Sequence, residues 1–200
     1  MERNIRKGLS PAQSFKKLHL GCGDRIIPGF INVDARPLPG VDVPNCDITK
    51  LTPFESTSVD LVYACHVLEH VPRPKTFPTL LEWNRVLKPG GTLRIAVPDW
   101  DATVKLYWKT GDYESLLNWI YGGRDYEENV HHRQFNFSGL KTLLIEAGFK
   151  RVVLYDWKKT EHADIDDFSK AYVPHLDYEN GQLMSLNVEC IKHIYPPDYR

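Results

Sequence analysis

The stretch Ser58-Val59-Asp60-Leu61-Val62-Tyr63-Ala64-Cys65 restricts the fold most. A strand with one face in water alternates apolar and polar residues. This run is apolar at successive positions, so both of its faces are covered, as in a parallel sheet. Six further segments read as its neighbours: Lys17–Leu20, Gly29–Asp34, a short Val43–Asp47, Thr92–Val97, Arg151–Tyr155 and Ser185–Ile191. Helices alternate with them. Thr76 to Leu87 puts Phe77, Leu80, Leu81, Asn84 and Leu87 on one face, and Lys88-Pro89-Gly90-Gly91 supplies a cation, a proline and two glycines to stop it. Asp101–Tyr107, Tyr113–Tyr121 and Ser138–Ala147 also read as helices, the last capped by Ser138 and stopped at Gly148. The last two strands lack a helix between them. The expected fold class is α/β, with a seven-stranded, mostly parallel sheet and an antiparallel edge strand.

Composition narrows the function classes. At 200 residues, with 42% hydrophobic and 26% charged residues, the chain is globular and of one-domain size. The 25 basic residues nearly balance 26 acidic ones, which leaves no electrostatic footprint for nucleic acid or an anionic membrane. Cys22, Cys46, Cys65 and Cys190 form no CxxC pair, so neither a zinc ribbon nor a disulfide framework is expected. The opening MERNIRKGLSPAQ is polar, and no apolar window is long enough to span a membrane. A reducing cytoplasm is the expected compartment. The expected organisation is a single domain: an arm at 1–16, a ligand-binding half at 17–100, an aromatic helical cap at 101–139, and a helix with C-terminal strands at 140–200 holding a long loop at 156–184.

Chemistry concentrates where strands end. Gly21 and Gly23 close the first strand, where ligands of open α/β sheets bind, and glycine lets a ligand approach the backbone. Asp34 ends the second strand, placed to accept two ribose hydroxyls. Asp47 follows the third, where a carboxylate can take a hydrogen from an adenine amino group.

LHLGCG, PGFINVD, CDITKLTPF, VDLVYACHVLEHV and EWNRVLKPGGTLRIAVPD resemble the class I S-adenosylmethionine-dependent methyltransferases, most of all the small single-domain "methyltransferase type 11" group. The resemblance covers residues 17–100 and continues weakly through HRQFNFSGLKTLLIEAGF. It implies a Rossmann-like fold with S-adenosyl-L-methionine as cofactor and S-adenosyl-L-homocysteine as product. It implies Gly21, Cys22 and Gly23 in the loop under the methionine part, Asp34 on the ribose, Asp47 with the Ile48 backbone on adenine, and His66 lining the cofactor. One departure stands out. Only ten residues separate Gly23 from Asp34, and Pro28-Gly29 breaks a helix there, so the first crossover helix is expected to be absent or one turn long. An NAD-dependent enzyme is a rival reading, but Asp24 follows Gly23, no third glycine completes GxGxxG, and Asp34 comes early against about 20 residues. A binding or regulatory protein without catalysis is a second rival.

His66-Val67-Leu68-Glu69-His70 matches the zinc-protease pattern HxxEH. Pro72 leaves room for only a short helical turn and no third ligand stands out, so the segment is read as a cofactor-lining loop, with no metal expected. His131 or His132 is the candidate general base, since a histidine pKa near 6.5 suits taking a hydroxyl proton; adjacent residues face opposite ways, so both cannot serve. Asp99 is read as a helix cap or an acceptor-positioning acid. Residues 161–167 read as a solvated acidic loop or lid without calcium-loop spacing. Nine aromatics fall between Trp100 and Phe137; Trp119 and Phe137 are expected to pack on the sheet, and the stretch as a whole to form an acceptor lid. The expected activity is methyl transfer to a small-molecule acceptor, at a hydroxyl, with a sugar or polysaccharide precursor as one class. The expected partners include no nucleic acid and no membrane, and the chain is expected as monomer or homodimer.

Overall fold

The computed structural model describes residues 15–124 and 128–194. Most of the expected arm (residues 1–14) and the aromatic Tyr126 lie outside the described residues.

Strands β1 (Lys17–Leu20), β2 (Ile31–Val33), β3 (Val59–Cys65), β4 (Leu87–Pro98), β5 (Phe149–Leu154) and β8 (Ser185–Lys192) form one six-stranded sheet in the order β2-β1-β3-β4-β8-β5. The four on the β2 side run parallel, with Leu18 opposite both Ile31 and Val62 and Leu93 opposite Val62. A short hairpin, β6 (Tyr172–Val173) with β7 (Gln182–Leu183), sits in the long loop before β8. The expected seventh strand at 43–47 does not form. It is reduced to one bridge between Val33 and Val43, because Pro44 has no N–H to give and Asn45 sits at φ +56°. The antiparallel strand is also not at the edge: β8 lies between β4 and β5, antiparallel to both. Burial explains the order. β8 is buried along its first four residues, Leu186 and Val188 among them, whereas Val153 and Leu154 of β5 face water.

Helix α1 (Arg73–Val86) begins three residues before its expected start and follows Pro72. It buries Thr76, Thr79, Leu80, Trp83 and Val86 and leaves Leu81 exposed. The face is therefore rotated from the expected one. Trp83 dominates it, fully buried and donating its indole N–H to the Ile48 carbonyl at 2.9 Å. The expected helix at 113–121 is a 3₁₀ turn followed by the short α3 (Leu117–Tyr121). Helix α2 (Trp100–Thr110) is capped by Asp99, whose carboxylate accepts the Asp101 N–H at 2.9 Å. In α4 (Phe137–Glu146) the cap is Asn136, which accepts the Gly139 N–H at 3.0 Å; Ser138 lies inside the first turn.

No helix joins β1 to β2, as the ten-residue spacing requires. That decides how the sheet is covered. Val59, Val62 and Ala64 of β3 pack with Leu80, Trp83 and Leu144 in the main core, under α1 and α4. Leu61, Tyr63 and Cys65 face the other way, against Ile27, Phe30 and Ile165, which all lie on loops. Both faces of the apolar run are indeed dry, one beneath helices and one beneath connecting chain. No helix among the described residues is long and apolar enough to cross a membrane.

Candidate active site

Two cavities adjoin at the carboxyl edge of the parallel strands. The first, about 540 Å³, is lined among others by Gly21, Asp34, Asp47, Ile48, His66 and Lys75. Gly21 has φ +61°, and a Cβ there would lie 2.5 Å from a Val67 methyl, so the turn needs glycine for both reasons. Asp34, almost fully buried, holds the turn: one oxygen accepts the Gly23 N–H at 2.8 Å, and the other accepts Arg36 N–H at 2.8 Å and Arg36 Nε–H at 3.2 Å. Asp47 accepts from the Thr49 N–H at 2.9 Å and its hydroxyl at 2.6 Å. Cys22 turns inward. Burial pushes its thiol up to about 12, and its backbone N–H ties the turn to the Val33 carbonyl at 3.0 Å. Gly21, Asp34, Asp47, Ile48 and His66 thus meet at one cavity. Gly23 supports it through Asp34, and Cys22 enters by backbone alone.

The second cavity, about 640 Å³, shares Arg36, His66 and His70 with the first. Glu69, Trp119, His131 and Phe168 also line it. His66 follows β3 directly, with φ +50° and its N–H on the Ala96 carbonyl. Of the proposed bases only His131 reaches this cavity. His132 is exposed, its backbone N–H donating to the Glu69 carbonyl at 2.8 Å. Asp99 serves as the α2 cap and lines neither cavity.

Burial sets the charge states here. Desolvation lowers His66 to about 3 and His70 to about 4, and lowers His131 as well, so all three are neutral near pH 7. Desolvation raises Glu69 to about 8. Glu69 is fully buried, and neither carboxylate oxygen has a hydrogen-bond partner among the described residues.

Sequence reasoning set Glu69 and His70 aside with the HxxEH match and did not single out Phe168. The match itself was the available signal, but His131 lies 61 positions beyond His70. Only the fold brings the two rings to 4.9 Å. The aromatic stretch is a cap in part only. Trp119 lines the second cavity, Phe137 packs on the core and Phe135 is buried in it. Trp100, Tyr107, Trp108, Tyr113 and Tyr121 are exposed. The acidic run is not wholly solvated either, since His162 and Asp167 are buried under the sheet.

Residues 26–95 match the family described as "Methyltransferase domain". The matched stretch, 70 of the 200 residues, carries the signature of a methyltransferase domain. A described S-adenosylmethionine-dependent methyltransferase from Methanosarcina mazei has the same fold, with TM-score 0.57 and 20% identity over 94% of this chain and 99% of that one. So does the 1,6-didemethyltoxoflavin-N1-methyltransferase of Burkholderia thailandensis, solved with S-adenosylhomocysteine bound, at TM-score 0.55 and 17% identity over 88% of this chain and 70% of that one. At such identities the likeness is one of fold. An uncharacterized 37.1 kDa protein in transposon TN4556 of Streptomyces fradiae is 45% identical over 65 residues, which span 32% of this chain and 18% of that protein.

Proposed function

We propose that the protein transfers the methyl group of S-adenosyl-L-methionine to a hydroxyl of a small-molecule acceptor, with sugars and polysaccharide precursors as the class to test first. The observation that carries this reading is the pair of adjoining cavities with His66 and His70 on their shared wall. The first suits the cofactor. Asp34 has about four lone-pair sites and three are taken. One ribose hydroxyl fits the remaining site, and a second fits where Arg36 Nε now donates. Asp47 and the Ile48 backbone face the adenine end, and the Gly21 turn admits the methionine part.

The acceptor then occupies the second cavity, between Trp119, Phe168 and His131. The methyl carbon moves in line from sulfur to the acceptor oxygen. The carbon–sulfur bond breaks and its electron pair stays on S-adenosyl-L-homocysteine. The hydroxyl proton passes to the neutral His131 and on to water. The cofactor brings its own electrophile, so the chain's task is to hold donor and acceptor about 3–3.5 Å apart in a dry site. In this reading the protein works as a soluble cytoplasmic monomer or homodimer with no nucleic-acid partner.

Calorimetric titration with S-adenosyl-L-homocysteine tests the cofactor half. Asp34→Ala is expected to weaken binding by about 100-fold, near 2.7 kcal/mol, and NAD is expected not to bind. Unchanged affinity in that variant would remove Asp34 from the site. Acceptor screening by mass, reading the gain of one methyl group, tests the rest.

A further inference from the structure

We propose that Glu69, His70 and His131 form a binding site for one divalent cation of the zinc class, on the wall of the second cavity. The inference rests on these residues and not on the methyl-transfer reading, so either can fail alone. One ligand atom from each of the three residues lies within 4.8 Å of the others.

The hydrogen-bond pattern shows what each ring presents. His70 Nδ1 lies 3.2 Å from the Val130 carbonyl, and His131 Nδ1 lies 3.0 Å from the Trp119 carbonyl. A carbonyl only accepts, so both rings carry their proton on Nδ1 and leave Nε2 as a bare lone pair. Backbone carbonyls fixing a histidine tautomer in this way are the usual outer support of a metal ligand.

His66 follows the same logic from the other end. Asn187 donates its amide N–H to the Ser169 carbonyl at 2.7 Å, so its oxygen must be what Ser185 Oγ donates to at 2.9 Å. The Ser185 hydroxyl has then spent its proton and can only accept from His66 Nε2, at 3.1 Å. His66 Nδ1 is left as a lone pair 3.4 Å from Glu69 Oε1. His70 Nε2 is 4.0 Å from that same oxygen.

The result is a buried carboxylate surrounded by acceptors, with no donor on either of its oxygens among the described residues. Such a group is costly unless a positive charge stands among the lone pairs. That charge is either a proton on Glu69 or a metal ion. Two imidazoles and one carboxylate make a known zinc ligand set that leaves a fourth position open, here towards the cavity. Tetrahedral ligands at about 2.0–2.1 Å from zinc lie about 3.3 Å apart, so donors within 4.8 Å of one another need to close by up to about 1.5 Å. A lone pair given to a cation takes no proton, so an occupied site would move the acceptor's proton directly to water instead of to His131.

The test uses the full chain, stripped with chelator and titrated with Co²⁺ by visible absorption and with Zn²⁺ by calorimetry. The expected result is saturable binding of one ion per chain, with the d–d bands of a four-coordinate site. Glu69→Gln and His131→Ala are each expected to weaken it by at least ~100-fold, beyond the usual loss for an outer-shell change, while His132→Ala binds as the wild type does. Titrating the wild type needs no variant to fold. Absent saturable Co²⁺ or Zn²⁺ binding would overturn the site in favour of a proton on Glu69, and so would one-to-one binding unaltered in both Glu69→Gln and His131→Ala.

Discussion

Two buried clusters in this molecule each join histidines to a carboxylate, and they differ in where the donors are. Beneath the loop-covered face of the sheet, Asp167 accepts from the Tyr63 hydroxyl at 2.6 Å and from the Ser169 N–H at 2.9 Å and hydroxyl. His162 beside it packs its ring 4.3 Å from Tyr63 and 5.6 Å from Phe30, and burial keeps it neutral at neutral pH. At the carboxyl edge, Glu69 is as deeply buried and has lone pairs where Asp167 has donors. Burial and composition do not separate scaffold from site here. The donors around the carboxylate do: Asp167 is satisfied by Tyr63 and Ser169, although the His162 ring nitrogens find no partner among the described residues, whereas the Glu69 oxygens face lone pairs.

Three experiments press on that contrast. The largest effect is expected from Asp167→Ala, which strands the buried Tyr63 and Ser169 donors. Urea unfolding should show a loss of about 3 kcal/mol, with zinc affinity intact; a loss of zinc binding would mean that the clusters are not separate.

A smaller effect follows from pH. Glu69 titrates at about 8 in the folded chain and at about 4.3 when unfolded. Its folded value is raised, so the stability it confers is complete at low pH and is lost as pH rises through that window. Between pH 6.5 and 8 this amounts to about 2 kcal/mol in chelated protein. Below pH 6.5 the sign reverses: His19, His66 and His70 have folded values depressed to about 4, 3 and 4, so stability falls with further acid. Unfolding midpoints measured across this range should therefore peak near pH 6.5, and Glu69→Gln should flatten the alkaline limb. An unchanged limb would acquit Glu69.

The smallest effect belongs to His132→Ala, within about 0.5 kcal/mol for an exposed side chain. Methyl transfer should persist in it and fall in His131→Ala, and equal losses in both would dissolve the distinction between the neighbours.

Much of this architecture is legible in the residue order. The unbroken apolar run at 59–65, the Gly21 turn and Asp34 each state a local requirement that no distant residue alters. The missing crossover helix follows from ten residues of chain and one proline. What could not be read depends on tertiary choice. Val43–Asp47 looks like a strand until Pro44 and Asn45 are asked to pair. The α1 face turns because burying Trp83 outweighs the aliphatic stripe. The Glu69 cluster stays hidden because His131 reaches it only after Trp119 and Val130 have positioned both rings, and pattern matching cannot see a carbonyl choose a tautomer.

The loop-covered sheet face carries a practical consequence. Residues 27–30 and 157–170 stand where a crossover helix would, so the two halves of the sequence roof the same strand. A chain cut after β4 would keep every cofactor motif and still expose Leu61, Tyr63 and Cys65 to water. The motif-bearing half is therefore not a portable module, and grafting it into another protein would require carrying the late loop along as part of its architecture.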